Sequence, residues 1–399
     1  MNVLHVIPSV SVAHGGPSRA VVEMERALAD RGINVTTVTT DDDGNGRRLS
    51  VRREEAIETE FATRWYFPLT TDFYKVSLSL ARWLQKNIKK FDLVHAHALF
   101  SFAPIAAAYI ARKQNVPYIL RPLGVLGSYG MSRRRAQLKR LSLALIERSL
   151  IKSAAAIHLT SLAEKAEMES LGLSCNGVVI PIGIATDQGA GLKERRSLDS
   201  EKEIELLFLS RIDPKKNLEN LLRAMPLVLA ARRNVRLSIA GSGNHNYIAQ
   251  LMGLAQHLQL ADRIKWLGFV DGDKKQEVLG SATALVLPSY SENFGIAVVE
   301  ALSAGIPCVV SRDVAISKEV EIAKAGVVTD TEPTSIANCI LKVVDNNNEY
   351  LAMSIAAQRL AKASFSREAM GRSLETLYRE IKMPSNARDR ACCAEGNAP

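Results

Sequence analysis

Apolar and polar positions along this chain follow two alternating patterns. Short apolar runs, NVLHVIPS at the start, NVTTVTT (34–40), DLVHAHA (92–98) and PYILRPLG (117–124), predict buried strands. Between them apolar residues recur at helical spacing, over 17–31 and near 101–113. The same rhythm resumes with IELLFLS (204–210), VRLSIAG (235–241), IKWLGFV (264–270), ATALVLPS (282–289) and PCVVS (307–311), interleaved with helices at 217–232, 246–259, near 273–281 and around Glu300. Strands that alternate with helices predict parallel sheets covered on both faces, so the expected class is α/β with two doubly wound domains. The rhythm stops after VVIPIGI (178–184) in the polar, charged stretch DQGAGLKERRSLDSEKE. That gives an N-terminal Rossmann-like domain over 1–186, a linker at 187–203 and a second Rossmann-like domain over 204–365. A last helix at 366–382 can pack on either domain, and 383–399 reads as a disordered tail.

Composition supports two real cores: 399 residues with 47% hydrophobic and 23% charged leave no sign of wholesale disorder. No basic stretch precedes the first apolar run, so no signal peptide is expected. The longest run without acid or base, Leu93 to Ala111, contains His95, His97 and Pro104 and suits a buried segment better than a membrane span. The five cysteines (Cys175, Cys308, Cys339, Cys392, Cys393) form no CxxC pair, which fits a reducing cytoplasm.

The net charge is +9, and residues 1–190 hold most of it, with 24 Lys/Arg against 17 Asp/Glu. Much of the excess lies in MSRRRAQLKRLSLALIERSLIK (131–152), where seven bases face one acid and Leu138, Leu141, Leu145 and Ile146 fall at helical spacing. Such a helix either packs on the core with a solvated basic face or lies on an anionic membrane surface. No nucleic-acid recognition motif accompanies the basic patch, so no nucleic-acid partner is expected.

Several loops have the residues for chemistry. In SENFGIAVVEALSAGIPCVV (291–310), Glu292 stands in a loop and Glu300 about one and a half turns inside a helix that opens after Gly295. Helix amides attract phosphate, and acids on either side of such a terminus can hold the hydroxyl-bearing parts of a phosphorylated sugar. The helix dipole and a solvated surface account for the same two acids without a ligand. SRIDPKKN (210–217) places Arg211, Lys215 and Lys216 between a strand and a helix, a cationic loop suited to a diphosphate. Gly15-Gly16 before Pro17 permits close backbone approach to a ligand, or simply a tight turn. The sequence is neither a Walker loop nor a GxGxxG fingerprint, and GSGNHN (241–246) also lacks the final glycine, so nicotinamide binding is not expected. His95 and His97 lack a visible third ligand, and one is expected in the core with the other facing a cleft. DDD (41–43) and DGD (271–273) can chelate a metal but equally suit ordinary turns.

Gly15-Gly16, DLVHAHA, SRIDPKKN, GFV and, above all, ENFGIAVVEALSAGIPCVVS together resemble the retaining glycosyltransferases of family 4, with the GT-B fold, over nearly the whole chain to about residue 380. The resemblance implies two Rossmann-like domains facing across a cleft. It implies transfer of a sugar from a nucleotide-sugar donor to a glycan or lipid-linked acceptor, with retention and with neither metal nor other cofactor. Glu292 then meets the donor sugar and Glu300 the ribose. Arg211 and Lys216 neutralise the leaving diphosphate beside amides near Phe294, Gly295 and Ile296, and Gly16, Gly241 and Val270 complete the donor side. The acceptor side comprises Gly15, Gly16, His97 and Arg121. Leu123 replaces a histidine that many relatives carry in the cleft, which leaves Arg121 to serve an anionic acceptor, and Ile182 stands where relatives usually have asparagine. The rival expectations are a silent sugar-nucleotide-binding protein and a nucleotide-sugar epimerase of the same fold. Cell-envelope or exopolysaccharide synthesis, in the cytoplasm or on the inner membrane face, is the expected setting.

Overall fold

A computed structural model of the chain describes all residues except 12, 14, 45, 126–135, 174–175, 186–197, 199–202 and 384–399. The expected linker and tail therefore lie almost wholly outside the described residues. The chain divides into two compact units, Met1–Gly183 with the C-terminal helix Arg367–Lys382, and Ile184–Ser366.

The first unit is an eight-stranded sheet of β1 (Asn2–Val6), β2 (Asn34–Thr40), β3 (Ala56–Glu58), β4 (Thr63–Phe67), β5 (Leu93–His97), β6 (Tyr118–Arg121), β7 (Ala156–Leu159) and β8 (Gly177–Val179), in the order β3-β4-β2-β1-β5-β6-β7-β8. All pairings are parallel except β3 with β4. The apolar pattern did not indicate this edge pair, because Ala56–Glu58 is short and partly exposed. One face is covered by the helices Leu78–Asn87 and Phe102–Lys113, which bury Leu80, Leu84, Ala107 and Ala111 against Val6, Val94 and Leu120. The other is covered by Gly16–Ala29 and the C-terminal helix, whose Met24, Leu28, Leu374 and Tyr378 meet Val3, Leu93 and Ile119. The strand order reverses between β1 and β5.

The second unit is a wholly parallel six-stranded sheet of β9 (Ile204–Leu209), β10 (Val235–Ala240), β11 (Ile264–Gly268), β12 (Ala284–Leu287), β13 (Cys308–Ser311) and β14 (Gly326–Thr329), ordered β11-β10-β9-β12-β13-β14. Leu206, Leu207, Phe208, Leu285 and Val286 are fully buried, as continuous apolar strands covered on both faces must be. Here the order reverses between β9 and β12, and the crevice beyond the carboxyl ends of such a pair is where doubly wound sheets bind ligands. The SRIDPKKN loop follows β9 and the Glu292 loop follows β12, so topology alone makes neighbours of segments some 80 residues apart. Among the described residues, no helix is long and apolar enough to cross a membrane.

Candidate functional site

In the second unit, backbone contacts hold the loop after β9 in place. Ile212 pairs with Gly243 and its amide donates to the Ser242 carbonyl at 2.8 Å. A β-carbon on Gly241 would lie 1.8 Å from the Ser210 carbonyl oxygen, and one on Gly243 would lie 2.0 Å from that of Ile212. The glycines of GSGNHN therefore let two loops lie backbone to backbone. Asp213 accepts the Lys215 amide at 3.0 Å and opens a short 3-10 turn over Pro214–Lys216. Asn217, left-handed at φ 57°, then turns the chain into the helix Leu218–Ala231.

The loop after β12 is stitched to this one by the Tyr290 amide, which donates to the Lys215 carbonyl at 2.9 Å. Glu292 is fixed on its other side: its amide donates to the Asp313 carbonyl at 2.9 Å and its carbonyl accepts from Ala315 at 3.0 Å. Gly295, at φ 87°, makes the left-handed turn into the helix Ile296–Ser303, a conformation that glycine adopts without strain. The Lys216 ammonium forms an ion pair with Glu292, and Lys216 is 6% exposed. Arg211 lies exposed in the same loop. Burial pulls the Lys215 ammonium below its usual range, and the positive charges of Lys216 and Arg211 add to that shift against Glu292 and Asp213. Three cations thus crowd one strand end, an arrangement that favours a bound anion.

Glu300 is buried and pairs with Lys275 at 2.5 Å, from the helix Gly272–Ser281. The sequence reading missed Lys275, although it stands in the first turn and a half of the helix that follows GFV. The Phe294 side chain is buried edge-to-face on Phe365, with ring centroids 5.8 Å apart, so only its backbone can serve a ligand. Val270 is also buried, and Ile296 half-buried.

In the first unit, Gly15, at φ 66°, immediately precedes the helix that Gly16 begins. The expectation of one core and one cleft histidine is corrected, because His95 and His97 are both fully buried. They alternate on one face of β5, and that face is the one covered by the C-terminal helix. There they join His5, His158, Arg121 and Tyr378, none more than 1% exposed. The hydrogen bonds have one consistent direction. His158 Nε2 lies 2.9 Å from the Ile180 carbonyl, which can only accept. His158 Nδ1 must then accept from His95 Nε2 at 3.2 Å, and His95 Nδ1 from the Tyr378 hydroxyl at 2.7 Å. The Tyr378 oxygen is left to accept from His5 Nε2 at 3.2 Å. Burial lowers all four histidines, His5 and His158 to about 3, with the Arg121 charge contributing to each, so they are neutral at pH 7.

His5, His95 and His97 bring a ring nitrogen each within 4.8 Å of one another. Both nitrogens of His95 are already engaged and Arg121 adds positive charge, so the donor set suits a neutral hydrogen-bonded cluster better than a cation. Asp41 and Asp42 of DDD are likewise committed to bases, Asp41 to Arg53 at 3.0 Å and Asp42 to Lys75 at 2.9 Å.

Both ring nitrogens of His97 and the Arg121 Nε are buried without a hydrogen-bond partner. Burial pushes Arg121 down to about 10, against the negative charge of Glu164. Glu164 itself accepts from the Gly124 amide at 2.7 Å and from Thr160. Three non-glycine residues after β5 and β6, Ala98, Phe100 and Leu123, take left-handed conformations at φ 81°, 55° and 61°. Backbone strain of this kind concentrates at functional edges.

Residues 15–183 match the family model for a glycosyl transferase 4-like domain, and residues 192–360 that for glycosyl transferases group 1. An uncharacterized glycosyltransferase of Methanocaldococcus jannaschii is 43% identical over 121 residues, 29% of this chain and 30% of that protein. The phosphatidyl-myo-inositol mannosyltransferase of Mycobacterium tuberculosis is 31% identical over 213 residues, 51% of this chain and 54% of that one. The chain thus spans about half the length, or less, of these curated relatives. Among solved structures, sucrose-phosphate synthase from Thermosynechococcus elongatus superposes with a TM-score of 0.73 at 20% identity, covering 96% of this chain and 99% of that one. The Anabaena protein HepE in complex with UDP superposes at 0.74 and 18% identity, covering 94% and 99%. Both likenesses are at the level of the fold, which is that of the GT-B glycosyltransferases.

Proposed function

Because the chain belongs to the glycosyl transferases of group 1, we propose that it transfers a sugar, with retention, from a nucleotide-sugar donor to a glycan or lipid-linked acceptor. The bond from the anomeric carbon to the diphosphate oxygen breaks, the acceptor hydroxyl oxygen bonds to that carbon on the same face, and the products are a glycoside, a nucleoside diphosphate and a proton. The observation that carries this reading is the Lys216–Glu292 pair beside Arg211 and Lys215, at the point where the sheet order reverses.

A buried ammonium needs a counter-charge, and Glu292 supplies it. When the donor enters, its diphosphate takes over that role for Lys216 and Arg211, and Glu292 turns to the sugar hydroxyls. Glu300, oriented by Lys275, accepts the ribose hydroxyls. The amides of Phe294, Gly295 and Ile296 face the departing charge, with Gly241 and Val270 on the donor side. Preorganised cations and amides perform the stabilisation that a divalent metal performs elsewhere, so the reaction needs none. The acceptor meets the first unit at Gly15 and Gly16, where the first helix begins. The setting is cell-envelope or exported-polysaccharide synthesis, in the cytoplasm and peripheral to the inner face of a membrane.

Removing one preorganised donor costs about 10²–10³ in rate. Arg211→Ala and Lys216→Ala should each lose that much turnover, measured as nucleoside diphosphate release at saturating acceptor. EDTA should leave the wild-type rate within about twofold; near-normal turnover in either variant, or abolition by EDTA, contradicts the assignment.

A further inference from the structure

The helical stretch 136–153 carries two apolar stripes, where packing on one core needs a single one. It runs as Ala136–Ser142, a π-helical turn over Leu143–Glu147, and Arg148–Ser153. Leu150 and Ile151 are buried and Leu143 packs against the core below the sheet. A second set, Leu138, Leu141, Leu145 and Ile146, faces outward, with Leu141 56% and Leu145 71% exposed. The spacing of three and four from Leu138 to Leu145 keeps these side chains on one face. Residues of this size rarely stand together in water without a partner.

Charge on the same surface is one-sided. Lys139, Arg140, Arg148 and Lys152 flank the exposed leucines. The only acid of this stretch, Glu147, is fully buried and accepts from the Tyr74 hydroxyl at 3.0 Å and from Ser142 at 2.9 Å. Arg112 of the neighbouring helix adds another base, donating to Ser149 Oγ at 2.9 Å. On that same helix Tyr109 is 43% exposed, with the Lys113 ammonium 4.9 Å from its ring centroid. Apolar side chains beneath a rim of bases and an interfacial aromatic, with the acid withdrawn, complement the interface of a bilayer that carries negative headgroups.

We propose that this face docks on an anionic lipid bilayer, with Leu138, Leu141, Leu145 and Ile146 entering the headgroup and acyl boundary while the surrounding bases hold acidic headgroups. The proposal rests on the membrane-side part of the reading above and gives it a surface: contact is made by inserted leucines as well as by charge.

The full chain should co-sediment with vesicles of phosphatidylglycerol and phosphatidylcholine but not with phosphatidylcholine alone, with affinity falling as salt rises from 0.05 to 0.5 M, concentrations chosen about the range where surface charge is screened. Leu141→Glu with Leu145→Glu should abolish binding. Because both side chains already face solvent, the thermal midpoint and the nucleoside diphosphate release with soluble acceptor should be unchanged. Lys139→Gln with Arg140→Gln should weaken binding by about fivefold for each base removed. Equal binding to neutral vesicles, no binding to acidic ones, or binding that survives the leucine substitutions overturns the proposal. So does a concentration-dependent dimer that those substitutions dissolve, which would make the face a protein interface. Loss of lipid binding with transfer intact, or the reverse, separates this inference from the transferase reading.

Discussion

Lys216 and Glu292 hold each other at the point where β9 and β12 part. A buried cation held by a single carboxylate is stable only while it has that partner, and a diphosphate offers a stronger one. The glycines behind them are as constrained as the charged groups. An alanine at Gly243 would set its β-carbon 2.0 Å from a backbone oxygen that cannot swing aside, and one at Gly241 would collide with Ser210 in the same way. Gly243→Ala should therefore destabilise the second unit by about 1–3 kcal/mol or more and shift the Arg211 loop. Thermal unfolding together with nucleotide titration will show both losses; a variant as stable and as tight-binding as the parent would mean that the loops need not touch. At this scale much was legible in the sequence: the two glutamates, the cationic loop and the glycine opening the helix each have a local signature. Lys275 was not, because its partner Glu300 lies 25 positions away and only the fold brings them together.

Helical periodicity identifies an apolar stripe but not what lies against it, which is why 131–152 could be read either as core-packed or as surface-seeking. The strands posed a similar ambiguity. LVHAH alternates correctly for a strand, yet both histidines lie on the face covered by a helix whose Tyr378 stands 283 residues after His95. That helix closes the cluster through one hydroxyl, Tyr378, which serves His5 and His95 at once. Tyr378→Phe should cost about 1–3 kcal/mol, since it leaves buried ring nitrogens unsatisfied.

The cluster also sets a pH dependence. The four histidines have folded values far below their unfolded value of 6.5, so below that value the unfolded chain binds more protons. Their contribution to stability is complete above pH 6.5 and is lost as pH falls toward the folded values, by up to about 1.4 kcal/mol per pH unit for each histidine. Urea midpoints measured from pH 7.5 down to 4.5 should fall steeply below pH 6.5, and less steeply in His158→Gln; a flat profile would contradict the neutral, buried state of these rings.

Across the whole chain, the sequence rhythm anticipated two doubly wound sheets, and the strand orders explain why chemistry gathers where it does: each sheet reverses next to the loops that carry its unusual residues. The second unit gathers cations at that reversal, the first gathers orphaned polar nitrogens and strained turns, and the described stretch 136–153 sets a row of exposed leucines among bases. On the proposed reading, the donor binds the second unit and the acceptor, with its membrane, the first. The assignment stands or falls with the diphosphate. Calorimetric titration of UDP, GDP and ADP into the wild type, Arg211→Ala and Lys216→Ala, in EDTA, tests it most directly. The account predicts that at least one nucleotide binds the wild type without metal and that each variant weakens that binding tenfold or more, as loss of a charged hydrogen bond of about 1.5–3 kcal/mol requires. Equal affinity in all three proteins, or binding that appears only when a divalent ion is added, would contradict it.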